Sequence, residues 1–232
     1  MNIIITGASR GIGKAIALTF ASCGYNLFLC SRNQEQLNET AAVIQQQYPA
    51  VKIKVRAADL SVKEQVESFS DWCLHHGIPD ILVNNAGTFL PGNVTDEPDG
   101  NLELMMNINL YCAYHLSRKL VPSMIKKGRG HIFNICSVAS LKAYDNGGGY
   151  SISKFALHGF SQNLRHELKD FGIKVTGVYP GAVLTDSWGN FDNSSGRIME
   201  ASDIADMLLA ACKLSPQAVV EDIIIRPQLG DV

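Results

Sequence analysis

The sequence predicts an α/β protein built on a doubly wound parallel sheet, and three observations carry that expectation. Short apolar runs of strand length alternate with longer amphipathic runs along the chain. The first apolar run ends in a glycine turn that opens into a helical pattern. No linker, repeat or low-complexity stretch divides the 232 residues, so residues 1–232 read as one domain with enough length to bury a sizeable core.

The elements follow in order. NIIIT at Asn2–Thr6 is an apolar strand ending at Gly7, and the pattern turns helical over Gly13–Cys23. A second apolar run, Asn26–Cys30, leads to a polar, amphipathic helix over Gln34–Tyr48. Lys52–Ala57 predicts the third strand and Lys63–His75 its helix. Ile81–Asn84 is a fourth strand, followed by a long helical pattern over Leu102–Lys126. His131–Cys136 and Lys174–Tyr179 bracket the helix over Tyr150–Phe171, and Asp203–Leu214 precedes a last strand at Val219–Ile225. Strands separated by helices pair in parallel through helical crossovers. Such crossovers are right-handed and cover both sheet faces, and ligands then sit at the carboxyl ends of the strands.

Composition narrows the function classes. Hydrophobic residues make up 46% and charged residues 18%, with a formal net charge of -2. That balance points away from nucleic acid and membrane surfaces. The longest apolar runs are strand-sized, short of a membrane span, and the N-terminus has no signal-peptide pattern. Six scattered cysteines, several inside apolar runs, read as reduced thiols in a cytoplasm. The histidines show no metal spacing: His75-His76 ends a helix, and His166-Glu167 lacks a second His. No metal is expected.

The first strand end reads Thr6-Gly7-Ala8-Ser9-Arg10-Gly11-Ile12-Gly13. Glycine lets the backbone turn sharply and approach a pyrophosphate. The helix that follows offers unpaired N–H groups and a positive dipole end. A second signal is YSISK, directly after Gly147-Gly148-Gly149. Residues four apart share a helix face, so Tyr150 and Lys154 point into one cleft. A free tyrosine has a pKa of about 10, and a nearby ammonium favours its phenolate.

With that TGxxxGxG turn, three more stretches complete a resemblance. NNAG at Asn84–Gly87 follows the fourth strand, Ser137 precedes Tyr150 by thirteen residues, and Tyr179-Pro180-Gly181 with Thr185 follows the sixth strand. Together they cover nearly the whole chain in order, and the chain resembles the short-chain dehydrogenase/reductase family. The resemblance implies a single Rossmann-type domain that binds a nicotinamide cofactor. In an NAD enzyme the second strand usually ends in a carboxylate for the ribose 2′-hydroxyl. Here Ser31 and Arg32 stand at that end. Arg10 falls on the same side of the adenosine pocket in the family, and two guanidiniums can clamp a phosphate. NADP(H) is therefore the expected cofactor. Gly7, Ser9, Gly11, Ile12 and Gly13 would form its phosphate turn. Asp59 and Leu60 correspond to the adenine contact, and Asn85, Ala86 and Gly87 to the wall beside the adenosine ribose. Pro180, Gly181, Val183 and Thr185 would hold the nicotinamide end.

The resemblance also assigns the chemistry as expectations. Tyr150 is the proton donor to a carbonyl oxygen as hydride reaches the carbon. Lys154 tunes Tyr150 and bonds the nicotinamide ribose. Ser137 holds the substrate oxygen. Asn109 holds a relay water, with Asn107 as the fallback. Residues 182–200 form a substrate lid, in which Trp188 could stack on a flat substrate. Asp186 and Asp192 are both candidates for an acidic substrate contact. The C-terminus lacks the double-glycine tail of many family members and resembles the bacterial sepiapterin-reductase-type branch. Sepiapterin-like or vicinal dicarbonyl substrates follow, with 3-oxoacyl thioesters as the alternative. A nucleotide-sensing binding protein on an inactive scaffold is a third reading, disfavoured by the intact Ser137, Tyr150, Lys154 and Asn109. Apolar residues on the two longest helices (Leu104, Met105, Tyr111, Phe155, Phe160) predict a homodimer or homotetramer.

Overall fold

The computed structural model describes residues 1–189 and 191–231. Asn190, inside the expected lid, and Val232 lie outside the described residues. Seven strands form one sheet in the order β3-β2-β1-β4-β5-β6-β7, and every neighbouring pair is parallel. They are β1 (Asn2–Thr6), β2 (Asn26–Ser31), β3 (Ile53–Ala57), β4 (Ile81–Asn84), β5 (Gly130–Ile135), β6 (Ile173–Pro180) and β7 (Asp222–Ile225). The helices are α1 (Gly11–Ser22), α2 (Gln34–Gln47), α3 (Lys63–His76), α4 (Asn101–Met106), α5 (Cys112–Lys127), α6 (Gly148–Leu168) and α7 (Ala201–Cys212).

Side chains alternate across each strand, and the two faces bury separate cores. Ile3 and Ile5 pack with Ile16, Phe20, Leu37 and Leu208 from α1, α2 and α7. Ile4 packs on the other face with Phe69, Leu116, Leu120 and Leu164 from α3, α5 and α6. Strand order reverses between β1 and β4, which opens a crevice at their carboxyl ends.

Two expected elements differ. The single helix over Leu102–Lys126 is interrupted by a π-helical turn at Asn107–Tyr111. The side chain of Asn109 points inward there and anchors the widened turn to the loop after β4. The last strand starts at Asp222 rather than Val219. Ahead of it, the Val220 carbonyl accepts from the Thr176 hydroxyl, a side-chain bond in place of a ladder bond.

His131 on β5 is buried and stacks on Phe133 with ring centroids 3.9 Å apart. The Thr176 hydroxyl already donates to Val220, so His131 Nε2 must donate to Thr176 Oγ1, at 2.8 Å. Nδ1 is then an acceptor and faces the Cys212 thiol at 3.8 Å. Burial holds His131 down at about 3 and pushes Cys212 up to about 12, so this pair is neutral and structural. The folded protein binds fewer protons here than the unfolded chain, between pH about 3 and the ordinary histidine value of about 6.5. Stability from this group is full above about pH 6.5 and falls as pH drops, by up to about 1.4 kcal/mol per unit. His131→Gln is expected to flatten the acid arm of Tm against pH relative to the unmodified protein, while lowering Tm at pH 7.

Candidate active site

The glycine turn is stapled to the segment after β4. Thr6 Oγ1 accepts from Asn85 N at 3.0 Å and Ala86 N at 2.9 Å, and donates to Val83 O at 3.3 Å. Asn85 Nδ2 returns to Thr6 O at 2.8 Å and Gly7 O at 3.1 Å. Gly13 makes this closeness possible: a Cβ there would overlap the Gly7 carbonyl and stand 2.6 Å from Asn85 Nδ2. Any larger residue would force α1 off the turn. Ile12 packs down against the core, and Gly11 lies under Thr185, whose Cγ2 would be 3.1 Å from an added Cβ.

A cavity of about 250 Å³ opens over this turn, lined by the expected Gly7, Ser9, Arg10, Ser31, Arg32, Asp59, Leu60, Asn85, Ala86 and Gly87. Asn33, Gln36, Ala58, Thr88 and Ile108 complete the wall. Sequence reading missed these five. Asn33 carries the one local signal among them, since it caps α2 directly after Arg32 by accepting from Gln36 N. The Asp59 carboxyl is held low by bonds from the Ser61 hydroxyl and backbone N–H. Arg10 lies 3.7 Å from the Asp186 carboxylate, both groups well exposed.

Beside this cavity lie the catalytic candidates. Lys154 is buried, donates to Ile135 O at 2.8 Å, and has its ammonium 5.8 Å from the Tyr150 ring centroid. Ser137 lies two residues beyond β5 and caps the short turn Val138–Ser140; its hydroxyl accepts from Ala139 N at 3.1 Å and faces the Tyr150 phenol. Asn109, 1% exposed, accepts from Thr88 N at 2.8 Å and donates to Thr88 O at 3.0 Å and Ser153 Oγ at 2.8 Å. An added Cβ on Gly87 would stand 3.3 Å from Asn109 Oδ1 and 3.5 Å from Lys154 Nζ, so these groups meet at one point. The geometry favours Asn109 over the half-buried Asn107.

One electrostatic expectation is corrected. Burial pushes the Tyr150 phenol above its usual value, and the hydrogen bond to Ser137 only opposes that rise. Burial also lowers Lys154 to about 8. Among these residues desolvation dominates, and the expected lowering of the phenol by the ammonium is not seen.

The base of the expected lid is pinned by pairing of Val183 with Met199, including Leu184 N to Met199 O at 2.7 Å. Pro180 ends β6 opposite Ile225, and Gly181 N donates to Ile225 O at 2.8 Å. Trp188 is half-buried and packs on Phe191, ring centroids 5.2 Å apart. Of the two acidic candidates, Asp186 turns to Arg10, while exposed Asp192 accepts from Ser194 N at 2.8 Å.

On the two long helices, Leu104, Tyr111 and Phe155 are exposed. Met105 is fully buried and so not available to a partner, while Phe160 is half-buried and packs against the monomer's own core. No helix among the described residues is long and apolar enough to cross a membrane.

The short chain dehydrogenase family profile matches residues 1–195. An uncharacterised oxidoreductase of Staphylococcus epidermidis is 34% identical over 225 residues, covering 97% of this chain and 96% of that protein. A sepiapterin reductase of Chlorobaculum tepidum is 33% identical over 239 residues, covering 99% and 97%. Among solved structures, a metagenomic short-chain oxidoreductase in complex with NADP superposes with a TM-score of 0.86 at 30% identity, covering 98% of this chain and 97% of that one. Fold, site geometry and these similarities agree: the chain belongs to the short-chain dehydrogenase family of oxidoreductases.

Proposed function

We propose that the protein is an NADPH-dependent carbonyl reductase that converts a ketone to an alcohol, with sepiapterin-like or vicinal dicarbonyl compounds as substrates. The observation that carries the reaction class is the meeting of Ser137, Tyr150 and Lys154 beside a cavity with two arginines at its adenosine end. The residues of that cavity fit the cofactor. Gly7, Gly11 and Gly13 leave room for a pyrophosphate, and Ser31 replaces the carboxylate that would repel a 2′-phosphate. When bound, NADPH supplies the hydride. Ser137 holds the carbonyl oxygen against the Tyr150 phenol. That phenol, pushed up by burial, keeps its proton at neutral pH and gives it to the oxygen. Lys154 supplies positive charge behind the phenol and a donor for the nicotinamide ribose. Asn109, anchored to Thr88 and Ser153, holds the relay water.

The single domain of residues 1–232 carries a lid at about 182–200, with Val183 and Thr185 at the nicotinamide end and Trp188 offered to a flat substrate. The likeness to the Chlorobaculum sepiapterin reductase supports that substrate class. The protein works in a cytoplasm, consistent with its free cysteines, of which Cys30, Cys73, Cys112 and Cys136 are buried. Exposed Leu104, Tyr111 and Phe155, joined by Tyr114 and Ile152, form the face of a homodimer or homotetramer.

NADPH consumption by purified protein, with sepiapterin and an acetoacetyl thioester side by side, tests the reading. Faster turnover of sepiapterin is expected, and weak activity with NADH. Preference for the thioester would overturn the substrate class and make Trp188 a packing residue.

A further inference from the structure

The glycine run before YSISK takes no part in the chemistry described so far. Its geometry gives it a purpose. Gly148 has a φ of +23°, and a Cβ there would overlap the Gly92 carbonyl oxygen. A Cβ on Gly149 would stand 3.0 and 3.1 Å from the Glu97 carboxylate oxygens and 2.9 Å from Met105 Cε. Bare backbone at these positions therefore admits the loop after β4 onto the start of α6. Two hydrogen bonds hold it there: Gly92 N donates to Asn146 O at 3.1 Å, and Gly149 N donates to Glu97 Oε2 at 3.2 Å. Glu97 is itself set by its own N–H, which donates to Asn93 O at 2.8 Å.

The first N–H groups of a helix have no partner within it. The residue just before α6, Gly147, has no side chain to cap them. Glu97 supplies the acceptor from 52 positions away in sequence, and its charge faces the positive end of a 21-residue helix. The bonded N–H belongs to Gly149, one residue before Tyr150. The same loop places Phe89 edge-on to the Tyr150 ring, centroids 4.9 Å apart.

We infer that Glu97 is a positioning residue for Tyr150: its carboxylate caps the catalytic helix at Gly149 and, with Phe89 from the same loop, sets where the phenol stands. The inference rests on Tyr150 being the proton donor. Glu97 is not among the residues lining the cofactor cavity, so its loss should act on the chemical step and spare cofactor binding.

The test compares Glu97→Ala, Glu97→Gln and Gly149→Ala with Tyr150→Phe. It uses the full chain, saturating NADPH and the faster ketone from the substrate comparison. NADPH Kd is read by fluorescence and folding by Tm. Glu97→Ala is expected to lower kcat by about 10- to 100-fold, the range that small misplacements of a reacting group produce, with NADPH Kd unchanged. Gly149→Ala, which leaves the carboxylate in the chain but displaces it, should lose kcat similarly. Glu97→Gln keeps an oxygen that can accept from Gly149 N and should recover most of the activity. Unchanged kcat in Glu97→Ala overturns the inference. So does a loss of kcat in Glu97→Ala and Glu97→Gln alike with weakened NADPH binding, which would mark a general structural role. An inactive Tyr150→Phe beside a fully active Glu97→Ala would sink this inference alone. An active Tyr150→Phe would sink the proton-donor reading first.

Discussion

Tyr150→Phe is expected to lower kcat for ketone reduction by about 10²- to 10⁴-fold, the span attributed to a positioned general acid, while NADPH Kd stays as it was. The substitution removes one oxygen and leaves the ring that packs against Phe89. Lys154 keeps its bond to Ile135 O, so the helix face survives and only the proton donor is lost. Burial has raised the phenol, so the acid form persists through neutral pH, and an alkaline limb should come first from Lys154. Burial lowers that ammonium to about 8. Its charge is therefore present below about pH 8 and lost above it, and kcat/KM, which reports the free enzyme, should decline across that value. Single-turnover NADPH oxidation separates this from product release. A variant that still turns over at the unmodified rate would remove Tyr150 from the chemistry.

Most of the scaffold was legible in the sequence because a sheet covered on both faces writes itself as apolar runs. Ile3, Ile4 and Ile5 serve two cores at once, so β1 admits no polar interruption. The glycine turn and the Tyr150–Lys154 pair were legible because each is local: one follows a single strand end, the other a single helix face. Contacts between distant segments were not. Nothing in periodicity marks the extra residue of the π-helical turn, which exists because Asn109 turns in to meet Thr88. The Glu97–Gly149 bond is another such contact. Apolar spacing also cannot tell a monomer's core from a partner's surface, so Met105 and Phe160 read as interface although the chain buries or packs them itself. The phenol's direction was missed for a related reason. Charge partners are visible in a sequence, whereas the desolvation that outweighs them depends on the packed surroundings.

Replacing both Arg10 and Arg32 by Ala is expected to weaken NADPH binding by about 100-fold or more, while NADH binding barely changes. A hydrogen bond to a charged group contributes about 1.5–3 kcal/mol, which is roughly 10- to 100-fold for each guanidinium at 1.4 kcal/mol per decade. Both arginines line the cavity with Ser31, and a 2′-hydroxyl offers them no charge to hold. The effect should therefore appear in the ratio of the two cofactors, read as KM or fluorescence Kd for each. Added salt should shrink it, since exposed charges are screened. Arg10 is not idle without the phosphate, because Asp186, just after β6, lies 3.7 Å from it. That carboxylate competes for the same guanidinium, so Asp186→Asn should tighten NADPH modestly and leave NADH alone. In the Arg10→Ala background the same change should do nothing, because the competitor no longer has a group to compete for. A double-mutant cycle over Arg10 and Asp186 measures that dependence directly. Equal weakening of NADPH and NADH in the double arginine variant would show that the two residues support the pocket's shape instead of reading the phosphate.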